Sequence, residues 1–405
     1  MRLVRSLLLA TLAVGATVLI SSDQVSHAIK PDKVTALEVY AKDGKPVEDK
    51  RLQFAVVGST RGIGAGAQAE PKPPLDIIAD LRTQAAVRGL DFVLLTGGYT
   101  RRSTPDEWNR FARRWKDVLQ MRLQSDNKGR KHVLAVPGDA EILGDRKLTG
   151  FGAVFPGSSA GIGFNRNASW GKVDAVVGKT RWRILLLDTH QKAMGSRWKE
   201  QLFWLPKAVS DGEFDKLIVV MPDPRVTMAE NTKMDPGDGP SQMIDIIEEY
   251  APLNALTLVV SGGPSTNEIL LPTGAFGEAY LVAGNAGIGG PTLLQATAAD
   301  EAGYKDVGLE PLYTVALMKE FDHQAETESF REDIIDKAKS RGNWETYTPR
   351  FDGDAFPVQG WWHVTVDPKG IELIFRMRRP DGTLHDLYRT RREDRGGWKV
   401  LPVGD

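Results

Sequence analysis

From Leu52 to about Val282, short apolar runs alternate with segments in which apolar residues recur every three to four positions. The first pattern is typical of buried strands and the second of helices that pack one face on a sheet, so the alternation predicts an α/β fold. The predicted helices are Leu75–Arg88, Pro105–Leu123, Arg197–Val209 and Ser241–Tyr250. In the second helix, Trp108 and Trp115 share the apolar face, which favours packing on the sheet over a ligand platform.

The last third of the chain contains a charged amphipathic segment and then a strand-like pattern. Residues 321–341 predict a solvent-facing helix. Alternation from Trp361 predicts strands, and Asp381-Gly382 predicts a hairpin turn between Ile371–Arg378 and Leu384–Thr390. The predicted domain therefore spans residues 51–390, with a C-terminal β segment at 360–390 and a tail at 391–405.

The first 28 residues have the pattern of an export signal. Met1–Arg5 is basic, Ser6–Ile20 is apolar and uncharged, and Ser26-His27-Ala28 places small residues at positions −3 and −1 of a cleavage site. The apolar run is shorter than the roughly 20 residues that a spanning helix needs. We expect an exported protein, periplasmic or extracellular, with an uncleaved anchor as the alternative. The polar residues 29–50 are expected to form a linker with one edge strand near Leu37–Tyr40.

Composition narrows the function only by exclusion. The chain has 405 residues, 41% of them hydrophobic and 26% charged, as is ordinary for a globular protein. Its formal net charge of −1 argues against nucleic acid as a partner. With no cysteine, the chain has neither a disulfide framework nor a lipid-modifiable thiol. No stretch after the signal is long and apolar enough to span a membrane.

Five of the predicted strands end in turns that contain glycine or proline, and such turns at the carboxyl ends of strands carry ligands in α/β sheets. The segments are Phe54–Gly62, Asp91–Gly98, Val136–Glu141, Ile218–Pro224 and Leu258–Ser265. The order of these segments along the chain and the residues they contain resemble the motifs of the calcineurin-like metallophosphoesterases, particularly the purple-acid-phosphatase branch. The resemblance covers residues 52 to about 390. It implies a four-layer α/β/β/α fold, in which two packed mixed sheets are flanked by helices.

The resemblance also implies which positions would hold metal. At these turns the family has Asp-x-His, Gly-Asp, Gly-Asn-His-Glu, His and Gly-His-x-His motifs, which bind two metal ions. The corresponding positions here are Ser59, Arg61, Gly98, Asp139, Ala140, Pro222, Gly263 and Ser265. Only Asp139 among the ligand positions keeps a side chain that binds such metals well, and Ala140 replaces a histidine that assists the leaving group. We therefore expect no catalytic residue, no cofactor and no two-metal hydrolysis.

Other polar groups near these turns leave two kinds of site open, a site for one metal ion and a pocket for a small anion. Asp139 and Asp223 end different strands and are weak candidates for one divalent metal, which would permit a divergent metal-dependent phosphoesterase. Glu141, Asp188, His190 and Glu268 are also expected nearby. None of the five histidines after the signal, at positions 132, 190, 323, 363 and 385, lies in a metal-binding spacing such as His-x-His.

Arginine offers a site that needs no metal. Arg61, Arg101 and Arg102, with the glycine-rich backbone of residues 62–66, could form a pocket for a small anion. The competing interpretation is that Arg61 pairs internally with Asp139 or Asp223. The sequence thus predicts an exported pseudophosphoesterase, a binding or scaffold protein whose partner is a protein or a small anion.

Overall fold

A computed structural model describes residues 51–60, 74–119, 133–155, 169–225, 227, 239–263, 267–272, 277–284, 286, 309–313, 344–349, 359–378, 382–394 and 396–403. For residues 309–313 and 344–349 the structure describes the backbone alone. The expected signal and linker (1–50) and the predicted helix at 321–341 lie outside the described residues.

The described residues contain fifteen strands. In chain order they are β1 (Leu52–Val57), β2 (Phe92–Leu95), β3 (Val133–Ala135), β4 (Gly171–Val177), β5 (Thr180–Leu186), β6 (Lys216–Met221), β7 (Leu256–Ser261), β8 (Asn267–Pro272), β9 (Ala279–Ala283), β10 (Leu309–Tyr313), β11 (Trp344–Pro349), β12 (Gly360–Asp367), β13 (Gly370–Arg378), β14 (Leu384–Glu393) and β15 (Trp398–Leu401).

The strands form two mixed sheets. One has the order β15-β14-β13-β12-β1-β2-β3 and the other β10-β11-β8-β9-β7-β6-β5-β4. In the first sheet β1, β2 and β3 run parallel, and β12 joins β1 antiparallel. In the second, β5, β6, β7 and β9 run parallel. The carboxyl ends of the parallel strands hold the turns singled out in the sequence.

Each of the four predicted helices has a counterpart among the described helices, and three short helices were not predicted. They are α1 (Leu75–Arg88), α2 (Pro105–Arg114), α3 (Lys116–Leu119), α4 (Asp139–Gly144), α5 (Thr149–Val154), α6 (Gln191–Met194), α7 (Ser196–Ser210) and α8 (Gly239–Tyr250). The second predicted helix is divided at Trp115 into α2 and α3, and its last residues lie outside the described part of the chain. Thr104 and Glu107 form a capping box that begins α2, with Pro105 at its first position.

Burial confirms the layered architecture. Strands β2, β7 and β9 are buried at every residue, so both of their faces are covered. Trp108 and Trp115 are only 3% and 1% exposed, which confirms that their helix face is packed. Helix α1 is tied to its sheet by Asp80, which accepts hydrogen bonds from Trp361 and Arg376. The four-layer α/β/β/α fold expected from the resemblance is confirmed.

The two sheets come close together near the ends of β1 and β9. Ala286 N donates to Gly58 O at 2.9 Å, and Thr96 Oγ1 donates to Ala283 O at 3.1 Å. A Cβ atom on Gly58 would lie 1.8 Å from Ala283 O, far inside van der Waals contact. Position 58 therefore requires glycine for steric reasons.

The C-terminal sheet extends further than the sequence pattern indicates. The predicted hairpin is present between β13 and β14, with Gly382 at φ +86°. However, β14 continues to Glu393, and β15 pairs with it inside the segment assigned as a tail. The four residues of β15, which lie between glycines and a proline, are too few to give a recognisable alternation.

No helix among the described residues is long and apolar enough to cross a membrane.

Candidate functional site

The turns that follow β1 and β2 press against each other. Ser59 is buried, and its backbone has a left-handed conformation with φ 49°. Its N–H donates to Gly97 O at 3.0 Å. Gly98 has φ +71°, and a Cβ atom there would lie 3.0 Å from Ser59 Cα. The backbone of the β1 turn thus takes the space beside position 98, where the resemblance places a metal-binding carboxylate.

The turns after β6 and β7 are equally close. Gly263 has φ +84°, and a Cβ atom there would lie 2.5 Å from Cδ of Pro224. Pro222 is buried in the adjoining turn and has no side-chain donor or acceptor. Arg61 and Ser265 lie outside the described residues.

Glu141, which is fully buried, ties the β2 and β3 turns together. One carboxylate oxygen accepts hydrogen bonds from Tyr99 N, Thr100 N and Thr100 Oγ1 at 2.7–2.9 Å. The other accepts from Gly98 N at 3.2 Å and Gly138 N at 2.9 Å. Burial raises the pKa of Glu141, while these hydrogen bonds oppose that rise. Because four of the five donors are amide groups that can only donate, the carboxylate form suits this position.

A second group of polar side chains meets where β3, β5 and β6 end. The parallel pairing of β5 and β6 sets the turn containing His190 beside the turn containing Asp223. Thr189 Oγ1 donates to Asp223 Oδ2 at 2.6 Å and joins the two turns. Asp139, the first residue of α4, approaches from the other sheet. His190 Nε2 lies 2.7 Å from Asp139 Oδ1 and 3.4 Å from Asp223 Oδ2.

The imidazole ring of His190 is held in place from behind. Its Nδ1 lies 2.9 Å from Oδ1 of Asp188, a fully buried carboxylate that also accepts a hydrogen bond from Ser169 Oγ. Gln201 on α7 fixes the backbone of Asp188: its Oε1 accepts from Asp188 N at 3.0 Å, and its Nε2 donates to Asp188 O at 2.7 Å. With Nδ1 on Asp188, the opposite nitrogen, Nε2, faces Asp139 and Asp223.

Three carboxylates dominate the electrostatics of His190. Burial on its own would lower the pKa of the imidazole. The charge of Asp223 and the contacts with Asp139 and Asp188 outweigh burial and raise this pKa well above its ordinary value. The cluster therefore attracts positive charge, whether as a proton or as a bound cation.

The structure brings together some of the residues singled out in the sequence. Asp139 and Asp223, weak metal candidates from different strands, share one histidine. Arg101 is half-buried and Arg102 exposed in the turn between β2 and α2. The anion pocket stays a prediction because Arg61 lies outside the described residues.

Sequence reasoning gave His190 no role because no second histidine stands at ligand spacing. The missed signal was its position two residues after Asp188, at the end of a parallel strand. Such a position faces the turn of the neighbouring strand.

The comparisons with known proteins support the fold only. No family model and no curated protein matches the chain. Purple acid phosphatase PPD1 from yellow lupin (Lupinus luteus) seeds is similar in structure, with a TM-score of 0.51 and 12% identity over 85% of this chain and 54% of that chain. PhoD gives 0.47 and 13% identity, covering 88% and 72%. GAP50, the anchor in the inner membrane complex of Plasmodium, gives 0.45 and 12% identity, covering 83% and 88%.

The likeness to the lupin protein defines the class of the fold. The chain has the calcineurin-like metallophosphoesterase fold, as the likeness to the lupin enzyme shows. It spans about half the length of that enzyme. Since one fold hosts many functions, chemistry has to be argued from the residues of the site.

Proposed function

We propose that this chain is an exported pseudophosphoesterase, a non-hydrolytic protein that binds a small anion or a protein partner. The observation that carries this proposal is the contact between Gly98 and Ser59. Two-metal hydrolysis requires ions about 3.5–4 Å apart, bridged and held by several side chains. The Cβ atom of a carboxylate residue at position 98 would lie only 3.0 Å from Ser59 Cα, and the φ of +71° disfavours any side chain there.

The other described strand ends support the same conclusion. Ser59, Pro222 and Gly263 stand where the resemblance places metal ligands, and they provide at most one weak hydroxyl donor. Asp139 alone cannot hold two ions. The residues present do not fit the two-metal centre of the fold family.

Metal content and hydrolysis test this proposal together. The purified mature protein should hold fewer than two equivalents of Fe, Mn or Zn. It should not hydrolyse p-nitrophenyl phosphate or bis(p-nitrophenyl) phosphate when these ions are added. Two tightly bound metals together with turnover would refute the proposal.

A pair of glycine variants isolates the steric argument. Gly98→Asp should destabilise the protein without creating hydrolysis, because the added side chain meets Ser59. Gly212→Asp is the matched control: Gly212 has a similar φ of +72°, and nothing lies within 4 Å of its Cβ position. The loss of melting temperature should be clearly larger for Gly98→Asp. Equal losses would show that backbone strain, not the closed space, explains the glycine.

Export and anion binding are tested separately. Cleavage after Ala28 should leave Ile29 as the mature N-terminus, and intact Met1 in a membrane fraction would favour an anchor. Phosphate at constant ionic strength should raise the melting temperature, and Arg61→Ala should abolish the rise. An equal rise in both proteins would exclude the arginine pocket.

A divergent one-metal phosphoesterase is the second candidate, and the Asp139–His190–Asp223 cluster is the observation that favours it. Metal-dependent turnover that disappears in His190→Gln would establish this function and displace the pseudophosphoesterase. Metal binding without turnover would leave the first proposal in place.

A further inference from the structure

We propose that Asp139, His190 and Asp223 form a binding site for a single divalent transition-metal ion such as Zn²⁺ or Mn²⁺. One ligand atom from each side chain lies within 4.8 Å of the other two. The site shares only Asp139 with the positions that the resemblance equates with metal ligands, and His190 and Asp223 occupy none of them. It is built from the ends of β3, β5 and β6.

The spacing of the ligand atoms suits one ion. With metal–ligand bonds of about 2.0–2.2 Å and tetrahedral angles, ligand atoms on the same ion lie roughly 3.3–3.6 Å apart. His190 Nε2 and Asp223 Oδ2 are already 3.4 Å apart. Asp139 Oδ1, at 2.7 Å from the same nitrogen, has to move outward, and its side chain is 72% exposed and so can adjust.

The imidazole nitrogen points independently to a ligand. The His190 side chain is only 7% exposed, and its Nε2 has no hydrogen-bond partner of acceptable geometry despite two carboxylates nearby. Buried polar atoms are rarely left in this state. An ion held between Nε2 and the two carboxylates would satisfy it.

The surroundings of His190 match those of a metal-binding histidine. Such residues usually donate the other ring N–H to a carboxylate, which fixes the tautomer and directs the free nitrogen at the metal. Asp188 takes that place at 2.9 Å, and Gln201 holds Asp188. The ring is thus oriented before any ion arrives.

Charge and donor type select the class of ion. One imidazole nitrogen and two carboxylate oxygens suit Zn²⁺ or Mn²⁺ better than the soft ions that thiolates bind. The carboxylates of Asp139, Asp188 and Asp223 surround the imidazole, and a divalent ion would offset their negative charge. Three protein ligands would also leave one position of a four-coordinate ion open.

The test uses the mature protein without an affinity tag, treated with EDTA and then freed of it. Calorimetric titration with ZnCl₂, and separately with MnCl₂, should show one equivalent bound for at least one of them. Asp139→Ala should weaken that binding at least about tenfold, since it removes one ligand. Because Asp139 is exposed, this variant should remain folded. Asp106→Ala, at the exposed first turn of α2, is the matched control and should bind like the wild type.

His190→Gln provides a second variant, and Co²⁺ absorption a second readout. Wild-type protein should give visible Co²⁺ bands that His190→Gln lacks while its far-ultraviolet circular dichroism is unchanged. Failure to bind any of these ions, or unchanged affinity in Asp139→Ala, would overturn the site. That result would leave the pseudophosphoesterase proposal standing, whereas two bound metals with turnover would overturn both.

Discussion

Replacing Glu141 with glutamine should destabilise the protein strongly, although the two side chains have nearly the same shape. Glu141 is fully buried and accepts five hydrogen bonds. In Glu141→Gln, the amide oxygen can retain the three donors of Tyr99 and Thr100. The amide NH₂ then faces the N–H groups of Gly98 and Gly138, and donors cannot bond to each other.

The magnitude follows from those two lost bonds. A buried donor left without a partner costs about 1–3 kcal/mol, so the variant should lose about 2–6 kcal/mol of unfolding free energy. A domain is typically stable by only about 5–15 kcal/mol, so the loss should be easily measured. The effect should appear at pH 7, where the carboxylate form satisfies all five donors.

Urea denaturation of Glu141→Gln and Glu107→Gln makes the comparison. Glu107 also accepts backbone hydrogen bonds, from Arg102 N at 2.9 Å and Thr104 N at 3.3 Å, but these bonds are exposed to water. Its substitution should cost less than about 1 kcal/mol. If the two variants lose similar stability, the β2 and β3 turns do not depend on a buried carboxylate and the reasoning fails.

Three further predictions concern buried groups. Arg183→Met should cost about 1–3 kcal/mol in urea unfolding, because Arg183 is fully buried and its loss leaves the partly exposed carboxylates of Asp174 and Asp211 without this partner. Loss of the exposed Arg181 pair should have little effect, and similar losses in the two variants would contradict this. Gly58→Ala should lower the free energy of unfolding by about 3 kcal/mol or more, while Gly152→Ala, with open space around it, should raise it by up to about 1 kcal/mol. Calorimetry measures both changes, and the opposite order would contradict the steric argument. Burial lowers the pKa of His363 to about 3, whereas the unfolded chain takes up this proton near pH 6.5, so stability should fall as pH drops from about 6.5 toward 3. If stability falls equally steeply in His363→Gln, other groups cause the loss.

The sequence was sufficient for features set by local pattern. The periodicity of α1 predicted its limits exactly as found, because its apolar face is regular and it is followed by Gly89 at φ +76°. The strand-end turns were also predicted, since glycine and proline mark them. By contrast, β15 has four residues, too few for a periodic signal, and was placed in a tail.

The candidate site depends on information that local pattern does not carry. His190 meets Asp139 only because β3 and β5, in different sheets, end at the same cleft. Its orientation depends on Asp188, and through it on Gln201, which lies in a separate helix. Likewise, the sequence predicted Glu141 as a polar residue near the cleft, whereas in the structure its carboxylate accepts hydrogen bonds from backbone amides. Such roles follow from sheet order and side-chain direction, which spacing along the chain does not reveal.

The contact between Ser59 and Gly98 also bears on how this chain can change over evolutionary time. A carboxylate can ordinarily be introduced by one substitution where its place is open. Here the main chain of Ser59 lies beside that place, and the left-handed conformation at position 98 penalises any side chain. A substitution that installs a carboxylate at position 98 without a change in the β1 turn should therefore give a less stable protein. The geometry favours uses of this fold that do not depend on a side chain at position 98.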